Sequence, residues 1–489
     1  MSRVKTGIEE LDMVLNGGLI EGSTTLVCGG SGTGKTILAA NFLVGGARGE
    51  GENGLLITME EGRDHLISNL PPALRRDMNA LQERLWVLDL SELRRLSPLA
   101  EEKEGISSVL DVEILIEIIQ AWAREKRVKR VAIDGIAALG LRYGCENEYR
   151  SALFRLVSMM KDLCITSVIT TEVNEEGRLS RYGVEEYVAD TILVLYYRLG
   201  GRILKVYKMR GSSYLHGRHT FEIDDRGIKL YPRLPPPATV VSRDERVKVG
   251  VKGLDPMISG GLLAGDAVLV TGSAGTGKTI FGLQFISQGA GNGEKGLIIG
   301  FEEPPSVLRR NAAGIGLDIA ALEKKGLVEI MHTTPYHLSA NKHLAEVRER
   351  LKGVSRVMVD SVSDYEIAIP EEELKTFLST LISEFKARGI TSVLTAETPE
   401  LMGASAITDK GTSYIVDTII MMRFVEIGSE MKKALNVLKM RGSRHVTEIR
   451  EYGITSSGLV IGRKFEGVEG VFTGSPRKSI AEKVERFFK

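Results

Sequence analysis

The chain has 489 residues, 43% of them hydrophobic, which is enough to bury large cores, and this length alone suggests about three domains. Its 64 basic and 64 acidic side chains give a formal net charge of zero, so it lacks the basic field that draws proteins nonspecifically to nucleic acid or anionic membranes. The three cysteines and seven histidines form no metal motif and no disulfide framework. No signal-peptide pattern follows Met1 and no uncharged run approaches the roughly 18 residues that cross a bilayer. These features predict a soluble, cytoplasmic protein.

The sequence repeats itself, which overrules the domain number suggested by length. TGIEELDMVLNGGL from Thr6 is echoed by VGVKGLDPMISGGL from Val249, and GGSGTGKT from Gly29 by GSAGTGKT from Gly272, each 243 residues later. Later motifs keep their order while their spacing drifts, as in duplicated domains with divergent surface loops. We therefore predict a first domain over residues 1–238 and a second, with a short C-terminal tail, over residues 239–489. A proline-rich connector, YPRLPPPATVV, joins them.

Within each half, short apolar β-branched runs alternate with longer helical patterns. In the first half the runs cover residues 23–28, 54–59, 128–133 and 166–170, and a helical pattern covers residues 112–124. Such runs, bounded by polar or glycine-rich turns, are typical of parallel strands covered on both faces. The predicted fold class is α/β, with a mostly parallel sheet flanked by helices in each of two tandem domains.

Each half carries a GxxxxGK[ST] motif between an apolar strand and a helical pattern, at residues 37–44 and 280–286, which is the context that this motif requires. Backbone N–H groups of the glycine-rich turn point into a concavity that holds phosphates, and the helix N-terminus adds partial positive charge. Two such matches argue against an ordinary glycine-rich turn. The predicted ATP-binding residues are Gly30, Ser31, Gly32, Thr33, Gly34, Lys35 and Thr36, and Ser273, Ala274, Gly275, Thr276, Gly277, Lys278 and Thr279. The lysines are expected to reach the β- and γ-phosphates, and the final threonines to bind Mg²⁺.

Acidic residues follow apolar strands at the same predicted sheet edge. Asp134 and Asp360 end the runs RVAID and RVMVD, where a carboxylate would lie beside the phosphates and bind Mg²⁺ or its waters. Glu60 and Glu302 each open a Glu-Glu pair after another strand, and we expect them to act as the base toward the attacking water or hydroxyl. The alternatives are a strand-ending turn aspartate and a solvated acidic helix start.

The residue that follows the metal-binding aspartate differs between the halves. Gly135 follows Asp134, whereas Ser361 follows Asp360. The two sites therefore need not be chemically equal.

The two P-loops, the paired glutamates, RYGVEEYVAD from Arg181 and KMRGS from Lys208 and Lys439 together resemble the KaiC family. The resemblance extends from Thr6 to about Ser475. That family consists of double-domain RecA-like ATPases, typified by the cyanobacterial circadian-clock protein. The resemblance implies a homo-oligomer in the form of a hexameric double ring, with ATP bound at subunit interfaces in both layers.

The resemblance also implies roles for basic residues in the two KMRGS segments. Lys208 and Arg210, and likewise Lys439 and Arg441, would reach the γ-phosphate of the neighbouring subunit. A cation supplied from a neighbour acts as an arginine finger, worth about 10³ to 10⁵ in rate in other NTPases. A solvated basic strand end is the alternative, and both interpretations stay open.

The second domain of the clock protein phosphorylates itself on an adjacent Ser-Thr pair a few residues after Ile-Thr-Asp. Here that segment reads ITDKGTSY from Ile407, so Ser413 matches the serine while Tyr414 stands at the threonine position. The resemblance therefore implies a phosphosite at Ser413 without an ordered two-site cycle. A hydroxyl-rich surface loop is an equal alternative.

The sequence thus favours a Mg²⁺-dependent ATPase, with serine/threonine autokinase activity in the second domain as a further expectation, acting as a nucleotide-driven oligomeric switch. A nucleic-acid-dependent RecA-type motor or recombinase uses the same core. The neutral charge, the 6% aromatic content and the lack of a recognisable DNA-binding module make nucleic acid an unexpected partner. A scaffold that binds ATP only to assemble is the third hypothesis, and no protein partner is indicated.

Overall fold

The computed structural model describes residues 2–90, 112–140, 143, 145–173, 179–198, 201–239, 241, 244–398, 415–427, 429–466, 468–469 and 477–478. The chain divides into two compact units, Met1–Leu234 and Pro235–Lys489. The division lies in the proline-rich connector, a few residues before the boundary predicted at residue 238. Within the described ranges, no helix is long and apolar enough to cross a membrane.

The first unit is built on a nine-stranded sheet with strand order β11-β10-β9-β8-β3-β7-β6-β4-β5. Strands β5, β4, β6, β7, β3 and β8 run parallel to one another, and β9, β10 and β11 extend the sheet in antiparallel fashion. A separate pair, β1 and β2, is antiparallel. The described strands are β1 (Arg3–Val4), β2 (Leu19–Ile20), β3 (Thr24–Gly29), β4 (Asn53–Thr58), β5 (Leu85–Asp89), β6 (Val128–Asp134), β7 (Thr166–Thr171), β8 (Thr191–Arg198), β9 (Gly201–Met209), β10 (His219–Asp224) and β11 (Gly227–Tyr231).

Helices cover both faces of this sheet. One apolar core contains Leu38 and Phe42, and another contains Leu115 and Leu153. The described helices are α1 (Glu9–Val14), α2 (Lys35–Gly45, continued by a π-helical turn at Gly46–Glu50), α3 (Arg63–Asn69), α4 (Pro72–Ala80), α5 (Val112–Glu125), α6 (Ala137–Gly140), α7 (Glu146–Asp162) and α8 (Glu185–Val188). The central strands are buried along their length because helices pack on both sides, which explains their continuous apolar runs.

The second unit repeats this architecture, with strand order β16-β15-β17-β18-β14-β19-β20-β21-β22. Strands β16 to β19 run parallel with β14 and β15, and β20, β21 and β22 are antiparallel. The described strands are β12 (Arg246–Val247), β13 (Leu262–Leu263), β14 (Ala267–Gly272), β15 (Lys295–Gly300), β16 (Val328–His332), β17 (Val354–Asp360), β18 (Thr391–Glu397), β19 (Thr418–Ile427), β20 (Glu430–Met440), β21 (Arg450–Thr455), β22 (Gly458–Lys464), β23 (Val468–Glu469) and β24 (Arg477–Lys478).

The helices of the second unit again lie on both faces of its sheet. They are α9 (Lys278–Gly291), α10 (Pro305–Ala313), α11 (Ile319–Lys324), α12 (Ala340–Arg350), α13 (Val362–Ala368) and α14 (Glu371–Ala387), with 3₁₀ turns at Asp255–Ile258 and Pro335–His337. Apolar side chains of α9 pack on one side and those of α14 on the other. The predicted fold class is therefore confirmed: two tandem α/β domains of RecA-like type, each a mostly parallel sheet flanked by helices.

The helix after each P-loop begins earlier than its apolar pattern. The predicted pattern at residues 37–44 lies within α2, which starts at Lys35, and the pattern at residues 280–286 lies within α9, which starts at Lys278. Gly34 and Gly277 precede these lysines with φ of 103° and 101°. That left-handed backbone is accessible to glycine without steric cost, so the turn closes at the glycine and the helix starts with the lysine.

Candidate functional site

Each P-loop leaves the carboxyl end of the central strand of its sheet. All residues of β3 and of β14 are buried. The turn that follows is closed by its own threonine. Thr33 Oγ1 donates to the Gly30 carbonyl oxygen over 2.8 Å, and Thr276 Oγ1 donates to that of Ser273 over 2.8 Å. The threonine within each motif thus holds the loop, whereas the next threonine is directed elsewhere.

The P-loop lysines fold back over their own loops. Lys35 Nζ donates to the carbonyl oxygens of Gly29 and Gly30, at 2.8 and 2.9 Å. Lys278 Nζ donates to those of Gly272 and Ser273, at 2.9 and 3.0 Å. Each ammonium therefore lies above the loop whose backbone would hold phosphates.

The final P-loop threonine meets the strand-ending aspartate in both domains. Thr36 Oγ1 donates to Asp134 Oδ2 over 2.9 Å, and Thr279 Oγ1 donates to Asp360 Oδ2 over 2.8 Å. Burial is the largest effect on both carboxyl groups and raises their pKa, while the threonine hydrogen bonds and the P-loop lysine act in the opposite direction. Sequence motifs that lie about 100 residues apart in the first half and about 80 apart in the second are thus brought together.

These oxygen donors fit a hard divalent cation. A hydroxyl and one carboxylate are ligands that Mg²⁺ uses together with phosphate oxygens and water. Among the described residues, no group of three or more His, Cys, Asp and Glu side chains could hold a metal ion. The donor set therefore suits an ion that is shared with a nucleotide rather than caged by protein.

A second threonine supports each aspartate, and the motif analysis missed it. Thr170 Oγ1 donates to Asp134 Oδ1 over 2.6 Å, and Thr395 Oγ1 donates to Asp360 Oδ1. Both threonines lie on the strand between the P-loop strand and the aspartate strand. A polar residue near the end of a buried strand, at matched places in the two repeats, is the sequence signal that could have identified them.

The first-domain glutamates lie beside this centre. Glu60 is exposed and packs on Gly135, where an added Cβ would come within 2.8 Å of Glu60 Cγ. Glu61 pairs with His65, with 3.4 Å between Oε2 and Nδ1. Glu60 thus lies against Gly135, the residue after Asp134, while the charge of Glu61 also acts on Asp134; the choice of Glu60 as the base stays a prediction.

The two glutamates of the second domain also have different surroundings. Glu303 accepts from Asn311 Nδ2, at 3.2 and 3.1 Å to its two oxygens. Burial, and then the neighbouring carboxylates of Asp364, Glu397 and Asp360, raise the pKa of Glu302, and Lys278 lowers it. A raised pKa makes a carboxylate a better proton acceptor, which is what a general base requires.

Ser361 has a structural partner. Its Oγ donates to Asp364 Oδ2 over 2.7 Å and its backbone N over 3.1 Å, which forms a capping box at the start of α13. In the first domain the equivalent Gly135 donates its backbone N to Thr170 Oγ1 over 2.9 Å. The difference between the repeats is thus a helix cap and an additional carboxylate beside the second site.

The basic residues of the KMRGS segments do not lie at their own P-loop. Leu195 of β8 pairs with Gly29, whereas Lys208 of β9 pairs with Ile192, three residues back along β8. At about 3.3 Å per residue, Lys208 lies about 10 Å back along β8. It is therefore near the amino-terminal ends of the parallel strands, whereas the P-loop lies at their carboxyl ends. Lys208 Nζ donates instead to the backbone oxygens of Glu186 and Ala189, at 3.0 and 2.8 Å.

The other three predicted cations have the same placement. Arg210 Nη1 lies 3.7 Å from Asp190 Oδ1. Lys439 Nζ donates to the Val416 carbonyl oxygen over 2.8 Å. The backbone N–H of Arg441 donates to the backbone carbonyl oxygen of Asp417 over 3.0 Å. Burial, followed by the neighbouring arginine, lowers the pKa of both lysines. Ser413, the remaining predicted site residue, lies outside the described residues.

A glycine-rich turn with its lysine over the loop, joined across the sheet to a Thr-Asp pair, is the arrangement of a P-loop NTPase, and this chain has it twice. The family model "ATPase: KaiC" matches residues 4–234 and 247–466. The chain therefore belongs to the KaiC family of ATPases, as its motifs predicted. This membership supports ATP binding and ATPase activity.

Individual relatives span nearly the whole chain. It is 36% identical over 495 residues to the circadian clock oscillator protein KaiC of Picosynechococcus sp., covering 99% of this chain and 94% of that protein. It is 37% identical to circadian clock oscillator protein KaiC 1 of Synechocystis sp., with the same coverage. KaiC of Nostoc sp. is 36% identical over 496 residues, again covering 99% and 94%.

Proposed function

We propose that both domains bind Mg-ATP and hydrolyse it, within an oligomer whose state depends on the bound nucleotide. The observation that carries this proposal is the Thr-Asp contact beside each P-loop, at 2.9 Å for Thr36 and Asp134 and 2.8 Å for Thr279 and Asp360. In this proposal the hydroxyl and the carboxylate hold Mg²⁺ together with the phosphates. When bound there, the ion would supply positive charge to the phosphate oxygens.

The protein side chains divide the remaining work. Lys35 and Lys278 exchange loop carbonyls for β- and γ-phosphate oxygens. Glu60 and Glu302 orient the attacking water and accept its proton. Supporting this assignment, Glu61 and Glu303 each have a separate partner in His65 and Asn311. Phosphoryl transfer depends mostly on positioning and electrostatic stabilisation, which this arrangement provides.

The phosphate-sensing cations come from a neighbouring subunit in this proposal. Lys208 and Arg210, like Lys439 and Arg441, are expected to act on the γ-phosphate of the next copy in a hexameric double ring. The strand register supports this, because it directs these residues to the sheet edge opposite their own P-loop. ATP would then be shared between subunits and would couple nucleotide state to assembly.

A second candidate function is serine autophosphorylation of the second domain at Ser413. The observation that favours it is the match of Ser413 to the phosphorylated serine of the family, with Glu302 of the second domain as the proposed proton acceptor for the serine hydroxyl. Incubation of the full-length protein with labelled ATP and phosphosite mapping tests it. Label at Ser413 that is lost in Ser413→Ala supports the proposal; a lack of label there contradicts it.

Phosphate release by the full chain tests the ATPase proposal. Lys35→Ala and Lys278→Ala should each remove part of the turnover, and the double variant should abolish it, because each lysine serves one site. Wild-type turnover in the double variant would contradict the site assignment. Strong stimulation by single-stranded DNA would favour a nucleic-acid motor instead, and nucleotide-dependent assembly without turnover would favour a scaffold.

A further inference from the structure

A carboxylate contacts the P-loop lysine in the second domain. Glu397 is the last residue of β18 and pairs in register with Gly272, the first glycine of the P-loop. Its Oε1 lies 3.4 Å from Lys278 Nζ. Lys278 is almost fully buried, with 8% of its side chain exposed, whereas 48% of the Glu397 side chain is exposed. The carboxylate therefore covers the lysine from the solvent side, where phosphates would arrive.

The first domain has a glutamate at the same position with a different partner. Glu172 follows Thr171, which pairs with Cys28, so it stands opposite Gly29 in the same register. Glu172 Oε2 lies 3.6 Å from Nη1 of Arg181. Arg181 belongs to the segment that ends at Asp190, nine residues later. In the first domain an arginine thus engages the carboxylate that could otherwise face Lys35.

The second repeat lacks this arginine. Asp417 matches Asp190, and the residue nine positions before Asp417 is Thr408, which carries no charge. Both glutamates stand at the end of the strand that pairs with the P-loop strand, and the aligned position carries an arginine in the first repeat and a threonine in the second. Glu172 thus contacts Arg181 and Glu397 contacts Lys278, and the segment from Glu397 to Asp417 differs from that between Glu172 and Asp190 in both sequence and length.

We propose that Glu397 sets the nucleotide affinity of the second site by competing with ATP phosphates for Lys278, and that Arg181 relieves the first site of the same competition. This inference rests on the proposed binding of ATP at both P-loops. Lysine must exchange the carboxylate for phosphate oxygens before ATP is held. Because Glu397 is half exposed, the contact is modest, and its loss should tighten binding about 2- to 5-fold.

Titration of the full chain with a fluorescent ATP analogue and Mg²⁺ tests the second site, with Lys35→Ala present to disable the first. Glu397→Gln should tighten binding, whereas Glu303→Gln should not. Glu303 is the matched control, because it is a carboxylate near the same sheet edge whose partner is Asn311. Equal affinity in Glu397→Gln and its parent, or equal tightening by both substitutions, would overturn the inference.

The reciprocal experiment uses the first site, with Lys278→Ala present to disable the second. Arg181→Thr should weaken analogue binding by a similar factor, because Glu172 is then released toward Lys35. Adding Glu172→Gln should restore the affinity. If the double substitution stays as weak as Arg181→Thr alone, the competition is excluded at that site. A chain that binds no nucleotide at all would instead contradict the proposed ATP site and leave no affinity to compare.

Discussion

In each domain an almost fully buried arginine joins three parts of the fold. Arg130 is 1% exposed, and its Nη1 donates to the carbonyl oxygens of Lys5 and Phe42, at 2.6 and 2.9 Å. Its Nε donates to Glu52 Oε2 over 2.6 Å, and the guanidinium lies 4.8 Å from the Phe42 ring centre. Arg356 makes the equivalent contacts in the second domain.

Replacing Arg130 should strongly destabilise the first domain. Arg130→Met leaves Glu52 and two carbonyl groups without their donor, and breaking a buried pair in this way costs about 3–5 kcal/mol. Both tryptophans, Trp86 and Trp122, lie in the first domain, so tryptophan fluorescence during denaturant unfolding reports on that domain. Arg76→Met, at an exposed position, is the control and should shift stability by less than about 0.5 kcal/mol. Equal effects would show that the buried network contributes little.

A carboxyl group in the second domain should make stability fall with rising pH. Burial, and then the nearby Asp417, raise the pKa of Asp266 to about 6, against the opposing charges of Lys386 and Arg246. The folded state therefore binds the proton more tightly than the unfolded state. Stability due to this group is present at low pH and is lost as pH rises from about 4 to about 6, by about 1–2 kcal/mol for a partly exposed side chain.

Calorimetry of the full chain between pH 4 and 8 can isolate this effect. Asp266→Ser introduces the residue that the first repeat has at Ser23. In this variant the stability of the second domain should no longer fall as the pH rises from about 4 to about 6. The difference in second-domain stability between variant and wild type should be constant above about pH 7. A difference that does not change with pH would contradict the assignment.

At the scale of elements, strand ends and helix starts form both sites. The end of β4 places Glu60 against Gly135, which has φ of +84°, and the end of β6 carries Asp134. In the second domain the same place is the capped start of α13. A substitution at Gly135 would therefore displace the Glu60 side chain.

Gly135→Ala should impair the first site. The added Cβ would meet Glu60 Cγ at 2.8 Å and would occupy a left-handed backbone that costs about 1 kcal/mol or more. With Lys278→Ala present, ATP turnover of the first site should fall at least about tenfold, because Glu60 is displaced from the attacking water. Unchanged turnover would mean that Glu60 is not the base.

At the scale of the whole molecule, the proposed neighbour cations can be tested by mixing subunits. A chain with Arg210→Ala and Arg441→Ala should lose most turnover, up to about 10³-fold, as when an arginine finger is removed. The Lys35→Ala, Lys278→Ala chain should be inactive because its P-loops are disabled, but it keeps Arg210 and Arg441. Mixed oligomers should recover activity that neither parent has.

The same experiment distinguishes neighbour action from action within one chain. If the arginines served their own P-loop, mixing would recover no activity, because no single chain would contain both groups. Oligomer formation by each parent, measured by light scattering, is the control. Loss of assembly in the arginine variant would require the mixing to start from monomers with ATP.

Much of this protein follows from sequence because its motifs are local. The P-loops require glycine conformations and a strand-to-helix turn that neighbouring residues specify, and the repeat itself showed two domains. The sequence could predict that Asp134 and Asp360 lie near the P-loops, because parallel strands place their carboxyl ends on the same side of the sheet. The apolar runs of β3 and β14 predicted buried central strands for the same reason.

Which side chains become partners depends on how distant parts of the chain fold together. Thr170 and Thr395 support the aspartates, Arg130 and Arg356 join distant backbone segments, and Ser361 caps a helix. The partner of Glu172 or Glu397 depends on which cation the fold brings beside it. Local preferences determine the backbone of each turn and strand, but charge pairing and burial depend on residues far apart in the chain that meet when the sheet forms.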